Sequence, residues 1–205
     1  MNEQGTEAWH LDRLGKVTAS KISDVMMKPQ TAGFQNYRAQ LVCERLTGQP
    51  TETFTSAAMI HGTETEPQAR AFYELETGQT VTETGFINHP KLEMSGASPD
   101  GLVGETGLVE IKCPQSANHI KTLTGSAIDR KYLMQMHWQM VCTGREWCDF
   151  VSFNPGFPPE MQISVQRVEA DAELHMEITA AVTTFLAQVD ELHRDLAERY
   201  LEQAA

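Results

Sequence analysis

The chain has 205 residues, of which 40% are hydrophobic, and it carries a formal net charge of -12 at pH 7. No apolar segment follows Met1, and no run approaches the roughly 18 apolar residues that cross a bilayer, so we expect one cytosolic domain over residues 1–205. The acidic balance argues against loose binding to a polyanion, which depends on Lys and Arg. A locally basic groove on an acidic surface would still allow specific binding.

The N-terminal part of the chain is predicted to contain three helices after an irregular start. Residues 9–20 are interpreted as a loop or short extended segment that leads into a short helix capped by Thr18 or Ser20. A second helix covers about residues 35–46. A third ends near Thr77, and the sequence leaves its start open.

From Thr80 the apolar residues alternate with polar ones, which predicts a β-meander. Its last two strands lie on either side of the turn 104–107 and form a hairpin. Further strands are predicted at 147–153 and 161–168, and helices at 116–123 and 130–142. This order predicts an α/β or α+β fold with a central mixed sheet flanked by helices.

The last predicted element is a long amphipathic helix over residues 171–204. Its apolar residues follow spacings of four and three from Ile178 onwards, which gives a narrow, heptad-like seam. Two interpretations stay open. The favoured one is a helix that packs on the core, and the other is a subunit contact.

Three charged residues are predicted to meet at the hairpin. Glu110 and Lys112 are two residues apart in an alternating strand, so both side chains leave the same face, and Asp100 precedes the partner strand. Hard divalent cations such as Mg²⁺ often bind through one or two carboxylates, and an ammonium beside them could orient or deprotonate water or offset charge on a phosphate. The arrangement predicts phosphodiester hydrolysis. The alternative is a turn residue beside a surface ion pair.

The same residues resemble a known signature. Ser98-Pro99-Asp100-Gly101 followed by Glu110-Ile111-Lys112-Cys113-Pro114 is similar to the motif of the PD-(D/E)XK nuclease superfamily, and more narrowly to the phage lambda exonuclease and YqaJ-type viral recombinase family. The resemblance runs from Trp9 to about Val168. It implies a restriction-endonuclease-like core and an Mg²⁺-dependent alkaline 5′→3′ exonuclease. Such an enzyme degrades linear double-stranded DNA to mononucleotides and leaves a 3′ single strand for recombination by annealing.

The resemblance also implies roles for the residues at the metal. Asp100, Glu110 and the Ile111 backbone carbonyl would bind one or two Mg²⁺ ions, with Mn²⁺ as an alternative, and Lys112 would position the attacking water. Glu66 would add a carboxylate from the third helix, as an outer group or as a ligand to a second ion.

Two of the implied assignments have rivals in the sequence itself. Thr63-x-x-Glu66 also matches a capping box, which would place Glu66 at a helix start instead of a metal. Gln135, which the resemblance assigns to the water or the scissile phosphate, lies one helical turn before Gln139. The spacing alone does not choose between these two glutamines.

Arg13, Ser20 and Ser98 resemble the residues with which the family binds a 5′-terminal phosphate, so the resemblance implies that they are phosphate ligands here. The alternatives are that Ser20 only caps its helix and that Arg13 pairs with an acid. Asn118 stands where lambda exonuclease has a further phosphate-binding arginine. Preference for a phosphorylated end is therefore expected to be weaker here, or to depend on nearby His119 or Lys121.

The partners that the resemblance implies are linear double-stranded DNA ends, a single-strand annealing protein and two further copies of the chain in a ring-shaped homotrimer. It also implies a phage or prophage origin and action in the bacterial host cytosol. One rival hypothesis is a nuclease of the same fold with another polarity or substrate, such as a Cas4-like enzyme with an iron–sulfur cluster, but Cys142 and Cys148 do not form the close cysteine pair that Cas4 needs. Another is a non-catalytic subunit that binds DNA ends. We interpret the four cysteines as reduced thiols.

Overall fold

The computed structural model describes residues 2–51 and 56–201, which contain seven α-helices and eight strands. The helices are α1 (Glu7–Asp12), α2 (Ile22–Val25), α3 (Ala32–Thr47), α4 (Ala57–Thr77), α5 (Ser116–Leu123), α6 (Arg130–Thr143) and α7 (Ala172–Tyr200). The strands are β1 (Val17–Thr18), β2 (Val81–Thr82), β3 (Ile87–Asn88), β4 (Ser95–Ala97), β5 (Gly101–Val103), β6 (Gly107–Lys112), β7 (Trp147–Phe153) and β8 (Ile163–Glu169). None of the helices described is long and apolar enough to cross a membrane.

The main sheet is mixed and has the order β2-β5-β6-β7-β8. Strands β5 and β6 form the predicted hairpin, with Gly101 opposite Val109. Strand β7 runs parallel to β6, and α5 and α6 lie in the crossover between them, as a parallel connection requires. Because β2 and β8 are both antiparallel to their neighbours, the sheet is mixed, as predicted.

The predicted meander before the hairpin is wrong. Strand β2 joins the main sheet, whereas β3 pairs with β4, and β4 runs parallel to β1 in a separate sheet of three strands. These strands have only two or three residues each. Alternation over so few residues shows that the chain is extended but carries almost no information about its pairing partner.

The two faces of β6 pack against different helices. Val109 and Ile111 are buried in a cluster with Tyr73 of α4, whereas Leu108 is buried with Met136 of α6. Since successive side chains of a strand point to opposite faces, Glu110 and Lys112 lie on the α6 side with Leu108. The alternation of β6 therefore decides which helix the two charged residues meet.

Helix α7 lies on the core, as the favoured interpretation predicted. Its seam residues Ile178, Val182 and Val189 are all fully buried. Phe185 stacks on Tyr37 of α3, with ring centroids 5.4 Å apart. Residues 202–204 of the predicted helix lie outside the described residues.

Two predictions for the N-terminal segment are wrong. Residues 7–12 form α1, because the Thr6 hydroxyl accepts a hydrogen bond from the Trp9 N–H and caps a helix start that the predicted loop missed. Ser20 lies inside a short 3₁₀-helix, Ala19–Lys21, and Thr18 at its start makes no capping bond through its side chain. Neither residue therefore caps a helix.

A buried polar cluster ties α4 to the sheet on the face opposite α6. The Tyr73 hydroxyl donates to Asp149 Oδ2 over 2.8 Å, and Arg167 donates two bonds to the same carboxylate over 2.8 and 2.9 Å. Tyr73 is fully buried and Asp149 nearly so. The cluster joins α4, β7 and β8 at one point.

We expect Tyr73→Phe to lower the free energy of unfolding by about 1–3 kcal/mol, because it removes a donor from a buried carboxylate. Urea unfolding followed by circular dichroism measures the change. Tyr200→Phe is the matched control, since Tyr200 is 65% exposed. An unchanged midpoint in Tyr73→Phe would show that Arg167 alone satisfies Asp149.

Candidate active site

Asp100 is held against β6 by a bond to the backbone. Its Oδ2 accepts a hydrogen bond from the Ile111 N–H over 2.6 Å. Backbone pairing between β5 and β6 ends at Gly101 and Val109. Beyond that pair, the Asp100 side chain accepts the hydrogen bond of the Ile111 N–H in place of a backbone carbonyl. The bond places the carboxylate beside the residue that follows Glu110.

Glu110 is completely buried, and each of its oxygens has a separate partner. Oε1 accepts from Gln135 Nε2 over 2.6 Å and is paired with the Lys112 ammonium, while Oε2 accepts from Gln139 Nε2, also over 2.6 Å. A surface ion pair would have left the carboxylate in water. The structure therefore excludes that alternative for Glu110.

Gln139 is the site residue that the sequence did not select. Gln135 and Gln139 are not alternatives, because both amides bind the Glu110 carboxylate, each at a different oxygen. The available signal was their spacing of four residues, which places both on one helix face. Only the burial of Glu110 makes two amide donors necessary.

Lys112 joins the carboxylates to an aromatic ring. Its ammonium lies 5.2 Å from the centroid of the Tyr132 ring, and 28% of its side chain is exposed. Burial lowers the pKa of Lys112, but the charges of Glu110 and Asp100 raise it by more, so the pKa is raised overall. The raised pKa favours the ammonium form of Lys112, which can orient a water or offset negative charge.

The remaining acids concentrate negative charge at the same point. Burial raises the pKa of Asp100 well above its usual range, and Glu110 and Glu66 raise it further, against the opposing effect of Lys112. Burial also raises the pKa of Glu66, which Arg70 lowers and Glu110 raises. The three acids thus interact with two cations, Lys112 at Glu110 and Arg70 at Glu66, and a metal cation beside them would lower the cost of ionising them.

Glu66 reaches this group from the middle of α4. The capping-box alternative is wrong, because α4 begins at Ala57 after Ser56, and Thr63 and Glu66 both lie inside the helix. Arg70 donates to Glu66 Oε1 over 2.7 Å and also pairs with Glu83 over 2.6 Å. This arginine holds Glu66 at the edge of the site.

The donor set fits a hard divalent cation and does not fit zinc. Glu110 supplies carboxylate oxygens from β6 and Asp100 from the residue before β5, and Mg²⁺ commonly takes one or two carboxylates with water and substrate phosphates in its other positions. Within residues 2–51 and 56–201, no three His, Cys, Asp or Glu side chains form a group that could hold a metal alone. Closed tetrahedral zinc sites require four such ligands.

Two of the three predicted phosphate ligands, Arg13 and Ser98, contact Trp9. The Arg13 guanidinium stacks over the Trp9 ring, 3.9 Å from its centroid, and the indole N–H donates to Ser98 Oγ over 3.0 Å. Burial lowers the pKa of Arg13, while Tyr37 and Glu44 raise it. Ser20 is exposed on the 3₁₀-helix that packs against β4 and α6. In the part of the chain that the structure describes, Arg13 has no ion pair, so the predicted alternative of an acid partner is not seen.

The structure also distinguishes His119 from Lys121, the two residues that were predicted to bind phosphate in place of the arginine missing at Asn118. His119 is fully buried, and its ring nitrogens are bonded to Ser152 Oγ and the Met161 carbonyl, each over 2.8 Å. His119 therefore cannot reach a phosphate.

Lys121 is exposed, and together with Lys112 it lines a cavity of about 440 Å³. Arg130 and Lys131 line the same cavity, so its lining beside Lys112 carries three further cations and one acid, Asp129.

Comparison with known proteins decides the family. A model of the YqaJ-like viral recombinase domain matches residues 8–146. The chain belongs to this family. The YqaJ-family match contains Asp100, Glu110, Lys112 and Gln135, and it ends just before β7.

Two solved structures closely resemble this YqaJ-family chain. The alkaline exonuclease LHK-Exo from Laribacter hongkongensis is 49% identical, with a TM-score of 0.91 over 98% of this chain and 100% of that one. Its complex with dAMP gives the same identity and TM-score over 97% of this chain and 100% of that one. The predicted α/β class with a PD-(D/E)XK core is confirmed.

A curated relative is more distant. The uncharacterized protein R354 of Acanthamoeba polyphaga mimivirus is 29% identical over 168 residues, which is 73% of this chain. The match spans 29% of the length of that relative. The viral protein therefore contains a large region with no counterpart in this YqaJ-family chain.

We expect Gln139→Ala to lower the rate of DNA cleavage about 10- to 100-fold, because it leaves one oxygen of Glu110 without its donor. Single-turnover cleavage of a labelled duplex measures the effect. Gln40→Ala removes a similar bond, from Gln40 Nε2 to Glu44 over 2.8 Å, far from Glu110 and serves as the control. Equal rates in the two variants would contradict the assigned role.

Proposed function

We propose that this YqaJ-family chain is a Mg²⁺-dependent 5′→3′ exonuclease that degrades linear double-stranded DNA to mononucleotides. The 3′ single strand that remains would enter recombination by annealing. The observation that carries the proposal is the fully buried Glu110, held by two amides and a lysine beside Asp100. Burying an ion pair is costly and rarely the cheapest way to stabilise a fold, so its presence points to chemistry. The 49% identity to an alkaline exonuclease supports the same reaction class.

In this proposal Asp100, Glu110 and the Ile111 carbonyl would hold the cation, and Glu66 would serve an outer position or a second ion. When bound, Mg²⁺ or Mn²⁺ supplies Lewis-acid polarisation of the phosphate and lowers the pKa of water. Asp100 can contribute its second oxygen, because the Ile111 N–H bonds only to Oδ2.

The chain's own residues orient the reactants. The Lys112 ammonium would hold the attacking water and offset the negative charge that develops on the phosphate. Gln135 and Gln139 fix the plane of the Glu110 carboxylate, so its oxygens keep one direction during the reaction. Gln135 is half-buried, and its amide would also contact the water or the scissile phosphate.

Arg13, Ser20 and Ser98 would bind a 5′-terminal phosphate, since guanidinium and hydroxyl donors suit a phosphate dianion. Lys121 would supply a cation on the side where Asn118 replaces an arginine. As a point charge, a lysine gives less directional binding than an arginine fork. We therefore expect a real but weakened preference for phosphorylated ends.

We further propose that the chain acts as a single nuclease domain in a homotrimeric ring threaded by linear DNA, with a single-strand annealing protein as partner, in the cytoplasm of a bacterial host. Enclosure of the substrate would provide processivity without tight electrostatic binding. That mode of holding DNA suits a chain with a net charge of -12.

Digestion of an end-labelled linear duplex tests the proposed function. The duplex carries its label at one 5′ or one 3′ end, with or without a 5′-phosphate, and is incubated with Mg²⁺ or with EDTA. We expect the 5′ label to appear first, as mononucleotide, and only with Mg²⁺. Release of the 3′ label first would contradict the polarity, cleavage in EDTA would contradict the metal, and no cleavage at all would favour a non-catalytic subunit.

A further inference from the structure

We propose that Trp9 is a positioning residue that holds Arg13 and Ser98 as one unit and thereby sets the preference for phosphorylated 5′ ends. The inference rests on the proposed function, because it concerns the terminal phosphate of that reaction. Trp9 itself would not touch the phosphate. It would act by fixing the direction of the two groups that do.

The two contacts of Trp9 use different parts of its ring and can exist together. The face of the indole carries the Arg13 guanidinium, 3.9 Å from the ring centroid, and the edge donates from Nε1 to Ser98 Oγ over 3.0 Å. A single rigid side chain therefore connects a residue that follows α1 to the residue two positions before Asp100. Loss of either contact would remove one restraint on Arg13 or on Ser98.

The hydrogen bond fixes the direction of the Ser98 hydroxyl. An indole N–H can only donate, so Ser98 Oγ must be the acceptor in this bond. A hydroxyl has one proton and two lone pairs, and the bond uses one lone pair. The Ser98 proton thus remains available to donate to an anion, and the indole restricts where it points.

The stacked guanidinium is oriented in the same way. Stacking occupies a face of the planar guanidinium and leaves the N–H groups at its edge, which are the groups that bind phosphate in a two-pronged manner. Burial already lowers the pKa of Arg13, so a phosphate charge there would compensate for lost solvation. His10 packs edge-on against the Trp9 ring at 4.9 Å, which further limits the room for a DNA base to stack there.

The need for such a residue follows from the weak anchoring of α1. None of its six residues is buried, so the core does not fix its position. Its other tie to the site is Gln4, whose amide donates to the Pro99 carbonyl over 2.8 Å and to the Thr84 carbonyl over 3.0 Å. Trp9 and Gln4 therefore hold α1 against the segment that leads into Asp100, and the Arg13 side chain stacks on the Trp9 ring that this arrangement fixes.

The test compares Trp9→Phe with Trp147→Phe. Phenylalanine keeps an aromatic face but has no N–H donor, and Trp147 is the matched control because Arg167 stacks on it at 3.6 Å, away from the phosphate ligands. The readouts are the ratio of kcat/KM for 5′-phosphate over 5′-hydroxyl duplex, and the affinity for both duplexes in EDTA by fluorescence anisotropy. The second readout does not require cleavage.

We expect Trp9→Phe to reduce the phosphate preference about five- to tenfold, through a higher KM rather than a lower kcat, and Trp147→Phe to keep the wild-type ratio. In a Ser98→Ala background, Trp9→Phe should add little, because the partner of the lost bond is already gone. A wild-type ratio in Trp9→Phe, or an equal loss of kcat on both duplexes, would overturn the inference.

The experiment also distinguishes this inference from the function on which it rests. If the wild-type chain shows no preference for phosphorylated ends, the proposed phosphate site is wrong. If Arg13→Ala abolishes the preference while Trp9→Phe retains it, only the role of Trp9 is wrong. Thermal unfolding of Trp9→Phe is expected to match the wild type, because α1 contributes no buried residue.

Discussion

Lys112→Ala should lower the rate of duplex cleavage by about 10³-fold, the loss expected when a preorganised group that stabilises transition-state charge is removed. The ammonium is paired with Glu110 and opposes the negative charge of Asp100. Single-turnover cleavage with saturating Mg²⁺ isolates the chemical step. We expect DNA binding in EDTA to change little, because one cation among several is lost.

Lys131→Ala is the matched control for that variant. Lys131 also lies over the Tyr132 ring, at 4.7 Å, but it pairs with Asp129 and does not contact Glu110. It should therefore cleave within a few fold of the wild-type rate. If Lys112→Ala cleaved DNA as fast as Lys131→Ala does, the assignment of the active site would be wrong.

Asp100→Asn should abolish cleavage to a similar degree and also remove the response of stability to Mg²⁺. A ligand that binds only the folded state stabilises it, by about 2.7 kcal/mol at 100 times its Kd. We expect Mg²⁺ to raise the melting temperature of the wild type and to leave that of Asp100→Asn nearly unchanged. An equal rise in both proteins would place the cation elsewhere.

The same variant reveals the charge repulsion in the site. Because the folded-state pKa of Asp100 is raised, the folded state binds the proton more tightly than the unfolded chain does. The stabilisation that this tighter proton binding gives the folded state is fully present at a pH below the usual pKa of a carboxyl group. It is lost as the pH rises through the raised pKa of Asp100. In EDTA, the wild type should therefore lose stability relative to Asp100→Asn on going from acidic to neutral pH. A constant difference across that range would contradict the raised pKa.

The sequence predicted the elements that repeat a clear pattern. The alternation in β6 correctly predicted that Glu110 and Lys112 lie on the same face of the strand. The glycine-rich turn correctly predicted the hairpin of β5 and β6. The seam of α7 from Ile178 onwards gave the side that packs on the core. In each case several residues report the same preference, so the local pattern and the tertiary fold agree.

Other features depend on contacts between distant residues and were not predictable. Helix α1 depends on one cap from Thr6, and the pairing of β2, β3 and β4 is set by strands elsewhere in the chain. The bonds of His119 to Ser152 and Met161 join residues more than thirty positions apart. Such contacts leave no periodic signal, so the residues alone could not decide whether His119 binds a phosphate.

Locating a bound cation tests the central claim most directly. Mn²⁺ can be soaked into crystals of the protein and placed by its anomalous scattering. We predict a peak between the carboxylates of Asp100 and Glu110, at about 2.0–2.3 Å from an oxygen of each and close to the Ile111 carbonyl, which is absent in crystals of Asp100→Asn. A peak only at other acids, or one that persists in Asp100→Asn, would contradict the account.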